Sequence, residues 1–584
     1  MAIAEYSIPA LLAERRNKDP HGEAYTSINY DVDPFGVAET ISWDELYDRT
    51  HAVAAKLLQF GSPGDRAVIL APQNLDYVVA FLGAIRAGFI AVPLSAPLFG
   101  QHDERIVGTL ADSTPVAILT TSAIVGEISG YAKDQPHQRA PKVIEVDTLD
   151  IDFSGDNLNV DLLPKTAYLQ YTSGSTRAPA GVEVTHKNVI RNIEQLNPDY
   201  FGGNKIDYPS GLRAVSWLPL YHDMGLIIGI FLGVMSGCPT TLLSPISFML
   251  KPARWIQQLA TDVAAAEDRW VVTAAPNFAY ELAARRTTDE DLAGKDLRHV
   301  RVMINGAERV HGATLRRFQE RFAPFKLTPT AMRSSYGLAE STIYVSSTMA
   351  DRPAKSVRFD LEKLAAGHAE LCDDGGSELV SVGPPRSTTV RIVDPETFVE
   401  KPAGQVGEVW LHGDHVTAGY WRNPEQTARV FRGKIVEPTP GTPAEPWLRT
   451  ADLGMMFDGE LFIVGRIKDL VIVDGRNHYP DDIETTVREV THGRVAAISV
   501  PDGATERLVV IAELKNPERR DRAELDQIEQ QVTAAISETH RVRVSDLLLV
   551  GPGSLPLTTS GKVRRAACGD EYRRGEFSRL GASR

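Results

Sequence analysis

The chain has 584 residues, 43% of them hydrophobic, which is more than one hydrophobic core accommodates, so at least two globular domains are expected. Its 62 basic against 76 acidic residues leave a net charge of −14, which works against nonspecific attraction to nucleic acid or to an anionic membrane. Three cysteines, Cys238, Cys372 and Cys568, lie too far apart in sequence for a disulfide framework or a local metal cluster and fit a reducing compartment.

The opening stretch "MAIAEYSIPALLAERRNKDP" places Glu5 early and lacks a long apolar core before a small-residue cleavage site. No signal peptide is read there, and a cytoplasmic location is expected, with peripheral membrane association compatible. From about Ile41 to Thr121, helical patterns such as "WDELYDRTHAVAAKLLQF" alternate with apolar runs such as "RAVILAP" and "FIAVPL", which predicts a largely parallel α/β sheet. "YLQYTSGSTRAPAG", Tyr168 to Gly181, then packs hydroxyls and glycines behind an apolar run, a composition suited to cradling phosphates. The alternation resumes with "AVSWLPL", "TTLLS", "WVVTAAP" and "VRVMING" as buried strands and "KPARWIQQLATDVAAA" as a helix.

The uncharged run Gly225 to Leu243 has the length of a membrane span, but four glycines, Ser236, Pro239, Thr240 and Thr241 interrupt it and no basic flank precedes it. It reads as a buried helix entering a strand. Strand propensity between about Gly383 and Gly465 predicts a smaller β-rich part. A hinge is placed at Arg466 to Leu470, followed by a compact α+β module with a helix over about Arg522 to His540 and a basic tail, "LPLTTSGKVRR".

Seven segments occur in one order: the loop at Thr172, "YHDMG" at Tyr221, "INGAE" at Ile304, "SSYGLAE" at Ser334, "LRTADLG" at Leu448, "GRIKD" at Gly465 and "TTSGKVRR" at Thr558. Together they resemble the adenylate-forming superfamily of acyl-CoA synthetases, luciferases and adenylation domains, over nearly the whole chain. The resemblance implies an α/β fold. A large N-terminal domain, 1–465, would hold stacked α/β subdomains and a distorted β-barrel subdomain. A hinge at 466–470 would join it to a small mobile α+β domain, 471–584.

It also implies a reaction in which ATP and a carboxylate give an acyl-adenylate and pyrophosphate. Thr172, Ser173, Gly174, Ser175 and Thr176 would cradle the β- and γ-phosphates, with Glu340 and Thr176 holding Mg²⁺. Tyr336, within Ser335, Gly337, Leu338 and Ala339, would offer a face to adenine, opposite a wall of Gly306, Ala307 and Glu308. Asp452 would accept from the ribose hydroxyls and Arg466 would add a contact. Lys562 would bridge the α-phosphate and the carboxylate, His222 would sit near that carboxylate, and Lys468 would occupy the hinge.

Three departures narrow the resemblance. The phosphate loop ends Pro179-Ala180-Gly181, without the usual lysine, and an additional segment, about 351–383, follows "YGLAESTIYVSSTMA". With "GRNHYPDDIE" these resemble the fatty acyl-AMP ligases of the mycobacterial type. In that branch the insertion tethers the C-terminal domain and directs the acyl group to an acyl carrier protein of a polyketide synthase rather than to coenzyme A. "VRFDLEKLAAG" within it has helical apolar spacing, which predicts a docked segment. Third, Ala451 and Ala307 stand where glycine is usual, and a positive φ at Ala451 would strain the turn and weaken ATP binding. The implied substrate is a medium- to long-chain fatty acid, with no nucleic-acid partner. An acyl-CoA synthetase and a non-catalytic adenylate-binding protein are the rival readings, separated by the acyl acceptor and by the need for a mobile lysine.

Overall fold

A computed structural model describes residues 7–97, 103–133, 140–151, 163–172, 180–202, 208–263, 269–473, 476–502, 505–557 and 562–581. Two large sheets organise the N-terminal part. In the first, the strand order is Tyr344–Ser347, Met332–Gly337, Val300–Gly306, Trp270–Pro276, Leu212–Ser216, Thr240–Leu243, Glu23–Asn29 and Val37–Ser42. Its interior pairings are parallel and its two outermost pairings antiparallel. The second runs Lys142–Glu145, Ala117–Thr120, Arg66–Ile69, Ile90–Pro93, Thr166–Thr172 and Ala180–Thr185, parallel except for its last pair. Parallel strands are covered on both faces, which is why these runs read as unbroken apolar stretches rather than as alternating ones.

The helix Leu75–Arg86 touches strands of both sheets and is buried at every position except Asp76, so its nearly all-round burial is that of an interior helix. Asn74 caps it, accepting from the N–H groups of Asp76 and Tyr77. Gly83 lets it approach the helix Trp43–Leu57: a Cβ there would lie 2.6 Å from that of Val53. The run from Gly225 is a buried helical segment, with a π-helical stretch at Ile227–Phe231, leading into the strand Thr240–Leu243, as expected. Phe231 packs against Phe81 and Tyr168, tying it to the interior helix and the second sheet. Among the described residues, no helix is long and apolar enough to cross a membrane.

One expected helix is shorter than its pattern. In "KPARWIQQLATDVAAA" the helix spans Ala253–Leu259, since Ala260 turns extended and Thr261–Asp262 pairs with Lys295–Asp296, while 264–266 lie outside the described residues. The β-rich part is a four-stranded antiparallel sheet of Thr389–Val393, Gly407–His412, Leu448–Phe457 and Glu460–Arg466. On it docks the additional segment, whose strand Ser356–Phe359 pairs with Ser377–Val380 and whose helix Leu361–Ala365 is capped by Asp360. Phe359 and Leu364 are fully buried with Met455, Phe462, Val464 and Tyr479, so the segment is packed rather than free.

The C-terminal part is α+β, a sheet of Val495–Asp502, Thr505–Glu513 and Val544–Val550 flanked by helices. Alternation is strict there. Ala497, Leu508 and Val510 face the helices Pro480–Thr491 and Arg522–His540, while Ala496, Val509 and Ile511 face Leu555 and Cys568.

Candidate active site

Two groups of the residues singled out from the sequence lie at or just beyond the carboxyl ends of neighbouring parallel strands, where open α/β sheets form their binding crevices. Val300–Gly306 ends in Gly306, Ala307 and Glu308, while Met332–Gly337 ends in Ser335, Tyr336 and Gly337. The two strand ends are closely apposed, since a Cβ on Gly306 would lie 2.7 Å from the Ser335 carbonyl oxygen. Gly337 admits no side chain, because its Cβ would meet the Ile343 carbonyl oxygen. Ser335 Oγ donates to the Ser346 carbonyl at 3.0 Å, and Leu338 and Ala339 lead into the short 3₁₀ turn that carries Glu340.

Tyr336, Asp452 and Arg466 form one cluster. The Tyr336 hydroxyl donates to Asp452 Oδ2 at 2.7 Å, and Arg466 Nε lies 3.0 Å from Oδ1. The cause is register: Asp452 and Arg466 are direct cross-strand partners. Burial, then the Asp452 charge, pushes the Tyr336 phenol well above its ordinary value, while Asp452 raises the pKa of Arg466. Ala451 has φ +58° and Ala307 φ +63°, so both alanines sit in the left-handed region. Ala451 lies in a bulge of the strand Leu448–Phe457, held from inside by the buried Glu408, whose Oε1 accepts from the Ala451 N–H at 3.0 Å.

Glu340 is half-buried, and desolvation raises its carboxyl above the usual range. Tyr420 donates to its Oε1 at 2.7 Å, and Thr417 donates to its carbonyl from both N–H and Oγ1. Among the described residues no group of three or more His, Cys, Asp or Glu is arranged to cage a metal ion. Glu340 offers one carboxylate, and a divalent cation held by one carboxylate and the phosphates of a nucleotide would be coordinated in the manner usual for Mg²⁺.

Lys562, from the C-terminal part, is half-buried and donates to the Ala307 carbonyl. Desolvation lowers its pKa, opposed by the charges of Glu308 and Asp223. Glu308 itself accepts from the Phe278 N–H at 2.7 Å, and burial raises its pKa. His222 Nδ1 contacts Asp223 Oδ1 at the start of the helix Asp223–Leu226. Desolvation would raise the Asp223 pKa, but His222, then the Met224 N–H and last Lys562 hold it below the usual value. Lys468 lies in the 3₁₀ turn Ile467–Asp469, its pKa lowered by desolvation and by Arg466.

Thr172 ends the strand Thr166–Thr172 and pairs with Ala180, while Ser173, Gly174, Ser175 and Thr176 lie outside the described residues. Tyr420 and Asp223 were not singled out from the sequence. Tyr420 sits 80 positions from Glu340 and carries no local signal of their contact. Asp223 stood inside "YHDMG" and could have been found from the charge it sets beside His222. A junction with the C-terminal helix was missed as well: Arg309 Nη2 lies 2.6 Å from Asp482 Oδ1, which also accepts from Ser377 Oγ at 2.8 Å.

The AMP-binding enzyme family model matches residues 12–421, and the AMP domain of the Disco-interacting protein 2-like family matches 468–580. A long-chain-fatty-acid–AMP ligase of Mycobacterium marinum is 55% identical over 99% of both chains. A 4-hydroxyphenylalkanoate adenylyltransferase of Mycobacterium tuberculosis is 53% identical over 100% of this chain and 94% of its own. The crystal structure of a fatty acyl-adenylate ligase from L. pneumophila, in complex with acyl adenylate and pyrophosphate, superposes with a TM-score of 0.71 at 29% identity, covering 99% of this chain and 98% of that one. The chain belongs to the AMP-binding enzyme family, on its fatty acyl-AMP ligase branch.

Proposed function

We propose that this enzyme joins ATP and a medium- to long-chain fatty acid to give fatty acyl-AMP and pyrophosphate, and passes the acyl group to an acyl carrier protein of a polyketide synthase. The observation that carries the first half is Lys562, brought from the C-terminal part to the Ala307 carbonyl between Glu308 and Asp223. A carboxylate oxygen of the fatty acid attacks the α-phosphorus, forming the acyl–phosphate bond as the bond to pyrophosphate breaks. Lys562 neutralises the charge shared by the two anions as they meet, a contribution typically worth roughly 10²–10³ in rate.

Tyr336 receives adenine against the wall of Gly306, Ala307 and Glu308, Asp452 accepts from the ribose hydroxyls with Arg466 beside it, and His222 orients the carboxylate. The hydroxyls of Thr172 to Thr176 take the β- and γ-phosphates, and Glu340, positioned by Tyr420, is the protein's carboxylate for Mg²⁺. When bound, Mg²⁺ offsets phosphate charge. Residues 1–465 form the adenylating domain and 471–584 the lid, which pivots at 466–470 with Lys468 in the turn.

The acceptor half rests on the additional segment, about 351–383. Tyr479 donates to the Leu364 carbonyl at 3.3 Å, Ser377 to Asp482, and Arg541 pairs with Glu362, so the segment holds the lid at several points. A segment that favours this pose disfavours the one needed to admit coenzyme A. The buried run from Gly225 and the stacked Trp217 and Phe248, 3.9 Å between centroids, suit an apolar acyl chain. The test is mass-spectrometric trapping of acyl-adenylates over a panel of fatty acids and 4-hydroxyphenylalkanoates, with coenzyme A and a holo carrier protein supplied side by side. Lys562→Ala is expected to lower ATP–pyrophosphate exchange by at least 100-fold; near wild-type exchange would remove Lys562 from the mechanism.

A further inference from the structure

Two cations that face the proposed adenylate site, one at the start of the hinge and one beyond it, come from segments almost a hundred positions apart. Arg466 pairs with Asp452, and Lys562 with the Ala307 carbonyl. Three residues beyond each stands one end of a single ion pair. Asp469 follows Arg466, Arg565 follows Lys562, and Arg565 Nη1 lies 3.2 Å from Asp469 Oδ2.

The arginine is anchored at every other donor face. Its Nε and Nη2 donate to the two oxygens of Glu484 at 2.7 and 2.9 Å, and Nη2 also donates to Asp481 Oδ1 at 2.7 Å. Glu484 is fixed in turn, since its Oε1 accepts from the Ala497 N–H at 3.1 Å in the C-terminal sheet. All four side chains are a quarter exposed or less. The chain around Lys562 is closed locally as well: Leu557 bridges Val563, and the Arg564 N–H donates to the Pro556 carbonyl at 2.9 Å. A flexible lysine reaching a transition state from a rotating domain needs its base fixed relative to the pivot, because small misplacements of a catalytic group carry large rate costs.

We infer that Arg565 is a positioning residue for the adenylation step, clamping the base of the Lys562 segment to the hinge turn at Asp469 and to the helix Pro480–Thr491. The two cations Arg466 and Lys562 are thereby presented to the nucleotide as one unit. Lysine cannot replace arginine here, because one ammonium cannot span a bidentate carboxylate and two further acceptors. The inference rests on the role of Lys562 given above.

The test is a double-mutant cycle on the full chain, with kcat and KM of ATP–pyrophosphate exchange read for Arg565→Lys, Lys562→Ala and the double variant, and residual acyl-adenylate counted by mass spectrometry. Arg565→Lys is expected to lower kcat 10- to 100-fold with KM for ATP within two-fold, and to cost nothing further once Lys562 is absent. An equal fold-loss in both backgrounds, a change confined to KM, or a kcat within two-fold of wild type would overturn the positioning role alone. Wild-type exchange by Lys562→Ala would instead overturn the adenylation role of the lysine. Should Arg565→Lys fail to fold, Asp469→Asn cuts only the 3.2 Å arm, and a three- to ten-fold loss of kcat that vanishes in the Lys562→Ala background is expected from it.

Discussion

Replacing Ala451 by glycine isolates the strain stored beside Asp452. The alanine has φ +58°, a conformation that costs an L-residue roughly 1–2 kcal/mol through the clash of its Cβ with the following carbonyl. Glycine removes that clash but frees the unfolded chain, which returns about 0.4–1 kcal/mol to the unfolded side. Ala451 is exposed, so no buried methyl is lost. The difference favours the variant by about 0.8 kcal/mol, a rise of about 1 °C in the transition of a domain this large.

Nucleotide affinity should not follow. This bulge is already set by Glu408 and by the pairing of Asp452 with Arg466, so the strain is carried equally with and without ATP. The assay is calorimetry together with a KM for ATP, and Ala451→Val is the control, expected to lower the transition because a β-branched side chain tolerates this φ worse. A fall in the transition of Ala451→Gly would refute the strain argument. A KM for ATP lowered five-fold or more would show that the bulge reshapes on binding.

Three other perturbations test two different parts of the molecule. Deleting residues 356–368 should raise thioester formation with coenzyme A, and Ser377→Ala should raise it about ten-fold, because a buried hydrogen bond to a charged group contributes about 1.5–3 kcal/mol to holding the lid; no rise in either variant refutes the tether. His415 is fully buried and its pKa is lowered to about 4 by burial, so the unfolded chain binds the extra proton first. Its stabilising neutrality is intact above pH about 6.5 and is lost as pH falls towards about 4, costing about 3 kcal/mol across that window. His415→Gln should flatten that part of a urea-midpoint profile against pH, and an unchanged slope would remove His415 as the cause.

Much of the fold was legible because parallel strands and interior helices write themselves as apolar runs. The helix Arg522–His540 even carries its start signal, Asp521 and Glu524 forming a reciprocal cap. The helix at Ala253–Leu259 was overdrawn because a two-residue pairing with Lys295–Asp296 takes Thr261 and Asp262 out of it, and that partner lies more than thirty residues away. In the site, motif residues such as Tyr336, Asp452 and Arg466 could be named individually, but not their union, which depends on strand register. Tyr420 on Glu340 and Arg565 on Asp469 are tertiary contacts with no local trace. The strain at Ala451 was foreseeable only as a condition on φ, a condition the backbone meets.

Arg309 shows why nucleotide and lid need not be separate systems. It stands one position after Glu308, its Nη2 lies 2.6 Å from Asp482 of the C-terminal helix, and the same nitrogen donates to Ser377 Oγ at 3.1 Å. The ion pair is about one-tenth exposed, so separating it would leave two charges poorly solvated, a far larger penalty than breaking the exposed Arg541–Glu362 pair. Removing residues 356–368 takes away the Leu364 and Glu362 contacts but leaves Arg309 on Asp482. The lid of that variant would therefore be loosened rather than freed, and the proposed adenine wall, through Arg309, would go on holding the pose in which Lys562 reaches the proposed site.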